Sequence, residues 1–129
     1  MRYDLKSPIL GFEHITEVEF EKIDDLFAKI SNKKEQFEIF LVNPYMLREY
    51  SFEIPNYISL LLELNAQSGV EVYCAMVLQK NREDSMVNFL APIVFNTQNA
   101  KAGQVVLSML DYPDFNLSAP LSLFVSKSA

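Results

Sequence analysis

From Met86 to Leu107 the chain reads MVNFLAPIVFNTQNAKAGQVVL, two apolar runs around a polar connection that holds one of only three glycines. Val87, Phe89, Ala91, Ile93 and Phe95 alternate with their neighbours, the period at which a pleated strand turns side chains to one face, and that face is expected to be a core. After the polar stretch Asn96 to Gly103 the chain returns through Val105, Leu107 and Met109 with the same period. The pattern predicts a β-hairpin with a long tip. Pro92 has no N–H for a ladder, so it belongs on an edge strand, at a strand start or at a bulge, and it is expected to bend the first strand.

The same period recurs along the chain. Glu17, Glu19 and Glu21 alternate with Val18 and Phe20, which predicts a strand with one wet acidic face. Residues 37 to 42 read as a more buried strand that ends at the Asn43-Pro44 turn signal. Tyr50, Phe52 and Ile54 alternate with Ser51 and Glu53 up to Pro55, as a short edge strand would. Val70, Val72, Cys74, Met76 and Leu78 form one row and Glu71, Tyr73, Ala75 and Val77 the other, so this strand is expected to be buried on both sides. Residues 24 to 31 fit a helix through Ile23, Leu26, Phe27 and Ile30 and a strand through Leu26, Ala28 and Ile30.

One segment departs from the rule. Tyr57, Leu60, Leu61 and Leu64 stand at i, i+3, i+4 and i+7 behind Pro55, a proline suited to a first helical turn. A helix is expected over 55 to 65, plugging one end of the β-structure. Many short strands, one helix and no strand-helix rhythm predict a mainly β fold, an antiparallel barrel or sandwich. With 129 residues and half of them hydrophobic, the chain is read as a single domain, 1–129, with no repeat or linker.

Charge and rare residues narrow the chemistry. Seventeen acidic residues against 11 basic give a formal net charge of -6, which disfavours direct nucleic-acid binding because phosphate needs a basic face. A basic protein partner suits such a surface, which also serves solubility alone. The charged start MRYDLK and the absence of a long apolar run predict neither a cleaved signal nor a membrane span. The single cysteine, Cys74, excludes an internal disulfide and fits a reducing compartment such as the cytoplasm.

Candidate catalytic groups are few. His14, the only histidine, sits beside Gly11-Phe12-Glu13 and reads as a surface loop residue, with no partnered nucleophile in the pattern. Cys74 lies in an apolar row and reads as a buried structural thiol. Asp111 and Asp114 are the best carboxylate pair for acid-base work or a hard cation, but Pro113 between them favours a turn. The three glycines lie far apart, so no phosphate-binding loop exists. The inventory points away from an enzyme, a metal site or a cofactor and toward a binding protein.

Six segments in order carry a family resemblance: residues 7–13 (SPILGFE), 41–45 (LVNPY), 50–55 (YSFEIP), 87–96 (VNFLAPIVFN), 104–107 (QVVL) and 111–113 (DYP). Together they resemble the bacterial flagellar assembly factor FliW family. The resemblance implies a small antiparallel β-barrel-like domain with one short helix. It also implies a non-enzymatic cytoplasmic protein that binds flagellin before export and binds CsrA, the repressor of flagellin translation. Partner switching would then couple flagellin synthesis to export. The family tends to have a strand at 24–31, which favours the strand reading there.

For CsrA, the expected contacts are the outward side chains Ser51 and Glu53 of the presumed edge strand, with Asn43 and Tyr45 from the preceding turn. Where Ser51 stands, related sequences often carry an acidic residue. For flagellin, the polar hairpin tip is the candidate, through Asn96, Asn99 and Lys101. The competing reading is a small-molecule-binding barrel, which a filled interior would count against.

Overall fold

The computed structural model describes residues 1–115 and 118–124, and of Arg82 the backbone alone. The described residues form nine strands: β1 (Arg2–Ser7), β2 (Glu17–Lys22), β3 (Phe27–Asn32), β4 (Phe37–Val42), β5 (Val70–Val77), β6 (Met86–Val87), β7 (Ile93–Asn96), β8 (Lys101–Gln104) and β9 (Ala119–Pro120). One α-helix, α1 (Asn56–Leu61), falls between β4 and β5. Seven strands close a barrel in the order β4-β3-β2-β1-β8-β7-β5, with β5 pairing back to β4. The fold is thus mainly β, a closed barrel with a single short helix.

All but one of the pairings are antiparallel; β1 and β8 run parallel, with Asp4 opposite Lys101 and Leu5 opposite Ala102. The reason is parity. Strand direction cannot alternate all the way round a ring of seven, so one neighbouring pair must agree. The seam falls where the first strand meets the return strand of the 93–104 hairpin, and Gly103 serves it by close approach. A Cβ there would sit 2.8 Å from Ser7 Cβ.

The ring separates two cores. Tyr3, Val18, Ala28, Ile30, Phe37, Leu41, Tyr73, Ile93, Phe95 and Ala102 point into the barrel. Four rings pack there, Tyr3 against Phe95 at 5.0 Å, Phe20 against Phe95 at 5.1 Å and Phe20 against Tyr73 at 5.3 Å between centroids. The second core lies outside the wall, where Val42, Val72, Cys74, Met76 and Val94 on the outer faces of β4, β5 and β7 are covered by Leu47, Tyr50, Ile58, Leu62, Val105, Leu107 and Phe115. The outer faces of β1 and β2 stay bare and charged, with Glu19, Glu21 and Lys6 exposed.

Local chemistry explains where the sequence patterns hold and where they fail. Residues 24–31 resolve into a turn and a strand, because Asp24 Oδ1 accepts from the N–H groups of Leu26 (2.8 Å) and Phe27 (2.7 Å) and so closes the β2–β3 hairpin. The long first strand of the 86–107 hairpin is broken. Met86–Val87 pairs with β5 and β9, the chain turns at residues 89 and 90, and Pro92 stands just before β7. As a result Val87 and Phe89 enter the outer core while Ile93 and Phe95 enter the barrel, so the five alternating residues do not share one face. The hairpin tip is also shorter than expected, since β8 takes up Lys101–Gln104 and leaves residues 97–100 as the turn. Beyond β8, Val105 N–H and Leu107 N–H donate to the carbonyls of Pro92 and Leu90 in an irregular continuation.

Two further expectations are corrected. Residues 50–54 make no strand pairing; Tyr50 is buried, Phe52 and Ile54 half-buried, and the N–H of Glu53 goes to the Tyr112 hydroxyl at 3.0 Å instead of to a ladder. The helix exists but buries a different stripe. Ile58 and Leu62 are fully buried, whereas Tyr57, Leu60 and Leu61 are exposed. Its length decides this, because α1 spans six residues and Glu63 at φ 54 turns the chain away before the i+7 position is reached. Pro55 precedes the helix as its N-cap, with the N–H groups of Ile58 and Ser59 donating to its carbonyl. The helix packs Ile58 and Leu62, not the predicted stripe, against the outer core.

Removing one barrel ring tests the interior. Phe95→Ala is expected to cost about 3–5 kcal/mol in urea unfolding, against less than about 0.5 kcal/mol for the exposed Met109→Ala.

Candidate functional site

The outer layer gathers most of the residues that the sequence marks for partner contact. Asn43 caps one turn of 3-10 helix at Pro44–Met46, its Oδ1 accepting from Tyr45 N–H at 3.0 Å, and its own N–H donates to the Leu26 carbonyl at 2.7 Å. Tyr45 is exposed and sets its ring edge-on to Tyr50 at 5.6 Å. From Tyr50 an aromatic stack runs outward: Phe115 lies at 4.6 Å, and Tyr112 stacks on Phe115 at 5.3 Å. Tyr112 then accepts the Glu53 N–H, so the stack joins residues 50–53 to the 108–115 turn.

Ser51 and Glu53 are both exposed on this stack. Ser51 lines a shallow depression with Arg48, Glu49, Asp111, Tyr112 and Asp114. Glu53 lines the adjoining one with Pro55, Asn56, Val106, Asp111 and Tyr112. Asn43 and Tyr45 border a separate depression with Val70, Glu71, Val72 and Tyr73. The four CsrA candidates therefore fall into two groups, linked through the rings of Tyr45 and Tyr50.

Arg48 and Tyr112 organise this surface and were not singled out by sequence reasoning. The Arg48 guanidinium covers Phe115 at 4.9 Å and Phe89 at 5.6 Å, and its Nη1 donates to the Asp114 carbonyl at 2.9 Å. That role uses up the one basic side chain of the layer. Residues 44–64 and the described residues from 105 to 124 hold five carboxylates, Glu49, Glu53, Glu63, Asp111 and Asp114, against Arg48 alone, a balance of -4 within the chain's total of -6. The count was available in the sequence; that the two segments form one layer was not.

The flagellin candidates are engaged within the chain. Asn96 is fully buried, and its Nδ2 donates to the Leu62 carbonyl at 2.9 Å while its Oδ1 accepts from Gln98 N–H. Asn99 Nδ2 donates to the same carbonyl at 3.0 Å, and Lys101 forms an ion pair with Glu63. Together they fasten the end of α1 to the hairpin tip. Period-two reading treated the tip as free polar chain and gave no signal for these bonds.

The remaining chemistry-bearing residues stay apart. His14 is exposed in the β1–β2 loop. Cys74 is buried, and desolvation pushes its thiol up to about 12; the thiol donates a hydrogen bond to Tyr50 Oη at 3.7 Å. Burial likewise raises Tyr50, whose hydroxyl donates to the Phe89 carbonyl at 2.8 Å. Asp111 and Asp114 are exposed on successive turns, the first closed by Asp111 N–H to the Ser108 carbonyl and the second by Phe115 N–H to the Tyr112 carbonyl. Among the described residues no group of three or more His, Cys, Asp or Glu side chains is arranged to hold a metal ion, and no helix is long and apolar enough to cross a membrane.

Comparison with known proteins decides the family. The family model described as "FliW protein" matches residues 2–121. The chain belongs to the FliW family. It is 62% identical over 130 residues to "Flagellar assembly factor FliW 1" of Helicobacter pylori (strain HPAG1), covering 98% of this chain and 96% of that protein. To "Flagellar assembly factor FliW 1" of Wolinella succinogenes it is 50% identical over 128 residues, covering 98% of this chain and all of the relative. A crystal structure of the flagellar assembly factor FliW superposes with a TM-score of 0.81 at 19% identity, over 98% of this chain and 88% of the other. The FliW barrel is thus kept at an identity where most residues differ.

Two outcomes follow from the internal bonds. Asn96→Ala is expected to lower stability by about 1–3 kcal/mol, since a buried amide is lost beneath α1, whereas Lys101→Ala changes it by less than about 1 kcal/mol because Glu63 is solvent-exposed; denaturant melts measure both. For Cys74 the folded thiol is raised above its unfolded value of 9.0. The unfolded chain therefore ionises first, and stability falls as pH rises from about 9 to about 12. Cys74→Ala is expected to flatten that slope.

Proposed function

We propose that this FliW-family chain is a cytoplasmic flagellar assembly factor that acts by binding, holding flagellin before export and sequestering CsrA once flagellin has left. The observation that carries this reading is the coincidence of FliW-family membership with an outer layer that bears four of the six net negative charges. CsrA contacts RNA and so needs basic surface, and an acidic antagonist steers toward it and meets it in register. His14 in an exposed loop and Cys74 with a suppressed thiolate support action without catalysis.

The CsrA contact is assigned to Ser51 and Glu53 beside Tyr112, with Asn43 and Tyr45 on the neighbouring turn. Flagellin is assigned to the outer side of the hairpin tip, through Asn99 and Lys101, with Asn96 supporting the tip from beneath. A small-molecule barrel is disfavoured, because Tyr3, Phe20, Tyr73 and Phe95 occupy the interior.

Calorimetry with purified CsrA tests the assignment. Glu53→Lys reverses a charge at an exposed position, so circular dichroism should be unchanged while CsrA affinity falls roughly tenfold or more. Equal affinity would remove Glu53 from the interface, and absence of binding by the unaltered chain to both CsrA and flagellin would end the functional reading.

A further inference from the structure

The β4–β5 ladder stops at Phe40 opposite Met76. Beyond that point β5 changes partner, pairing Met76 and Val77 with Val87 and Met86 of β6, so Ile39 and Val77 stand at the next register position without pairing to each other. A cavity of about 360 Å³ opens where the seam ends, lined by Ile39, Ala75, Val77 and Ala91 together with Leu10 and Phe12 of the β1–β2 loop. Its walls are fixed from behind. Buried Gln104 ties the loop to the residues before β7, its Oε1 accepting from Leu10 N–H at 2.8 Å and its Nε2 donating to the Ala91 carbonyl at 3.0 Å. Phe12 is braced edge-on against Phe37 at 5.0 Å between centroids. Ala75 is half-buried between the buried Cys74 and Met76, and its short side chain leaves the space open.

Close-packed interiors hold few voids larger than a water molecule, whereas this volume falls in the range of roughly 300–1,000 Å³ of small-molecule sites. Tyr3, Phe20, Tyr73 and Phe95, the rings that fill the barrel, do not line it, so the packed interior does not close it. The lining restricts the occupant. None of the described residues around the cavity is ionisable, and a charged ligand would give up its water with no opposite charge to replace it. The polar group on offer is the side chain of Asn88, which also lines the cavity. Its Oδ1 accepts from Leu90 N–H at 3.0 Å, which sets the orientation of the amide, and its NH2 donates to nothing among the described residues. A neutral molecule with an apolar body and one acceptor satisfies both conditions.

We propose that the cavity at the end of the β4–β5 seam binds a small neutral ligand, an apolar ring or short chain that carries one carbonyl, ether or hydroxyl oxygen, with the Asn88 amide donating to that oxygen. The site shares no residue with the contacts assigned above and depends on neither partner named there. Ile39, Ala75 and Ala91 take the apolar body, and Leu10 and Phe12 shield it from water.

Fluorescence titration of the full chain with prodan tests it, since prodan is a neutral naphthalene with one carbonyl acceptor whose emission moves to the blue in dry surroundings. Two relatives of the probe serve as controls: dimethylaminonaphthalene, which lacks the acceptor, and dimethylaminonaphthoate, which carries a charge. Prodan is expected to bind, the first control to bind roughly three- to tenfold more weakly, and the second to be weaker by roughly tenfold or more. Ala75→Leu fills the cavity, and Asn88→Asp keeps an oxygen for Leu90 N–H while removing the NH2 and adding a charge. Each is expected to weaken prodan roughly tenfold or more with circular dichroism unchanged, and Asn88→Asp decides the matter if Ala75→Leu does not fold. Leu60→Ser and Leu110→Ser, which remove exposed leucines outside the cavity, are expected to leave prodan binding unchanged. No binding of prodan, equal binding of the naphthoate, or full affinity in folded Ala75→Leu or in Asn88→Asp would overturn the site. A loss in the two serine variants equal to that in Asn88→Asp would place the probe on the exposed leucines and overturn it as well.

Discussion

Burial of the middle of β5, Val72 to Met76, on both faces is the constraint on which the rest of this structure depends, while Val70, Glu71 and Val77 at its ends stay exposed. Tyr73 and Ala75 turn into the barrel while Val72, Cys74 and Met76 turn outward under the second layer. A strand with two dry faces must have all its backbone groups paired and both sides covered. β5 meets the first demand by pairing with β4, β6 and β7, which closes the ring and starts the short extension to β9. It meets the second by drawing residues 44–64, 105–115 and 118–124 over its outer face.

That outer layer is where the acidic surface arises. Its segments contain little regular structure, so their positions are set by side chains: Arg48 across Phe115 and Phe89, Tyr50 bonded to Phe89 and Cys74, and Tyr112 stacked on Phe115. Asn96 and Asn99 then fix the far end of the layer by converging on the Leu62 carbonyl. Because these contacts use the polar and aromatic atoms closest to the core, what remains exposed is the outward rim of carboxylates and leucines. The only cation of the layer is spent on holding it together.

Several elements were legible from alternation alone. Strands 17–22, 37–42 and 70–77 follow their period-two patterns, since cross-strand neighbours on both sides enforce the alternation. The CsrA candidates Ser51 and Glu53 were read correctly as outward, although the ladder expected beneath them is absent. Failures occurred where one chain segment serves two cores. Val87 and Phe95 fit a single pattern, yet the break before Pro92 sends them to opposite sides of the wall. The helix shows the same limit, because several leucines in a row offer more than one stripe and only the packing chooses Ile58 and Leu62.

By itself the sequence determined a mainly β chain with one helix, an acidic balance, a thiol set in an apolar row and a FliW-like order of motifs. These are local or compositional properties, and period, charge and rare residues carry them directly. Tertiary structure alone decided the parallel seam between β1 and β8, the split into two cores, and the gathering of residues 44–64, 105–115 and 118–124 into one acidic and apolar layer. Each of these depends on contacts between residues far apart in the chain, where closure of an odd ring and coverage of a doubly buried strand outrank any local preference.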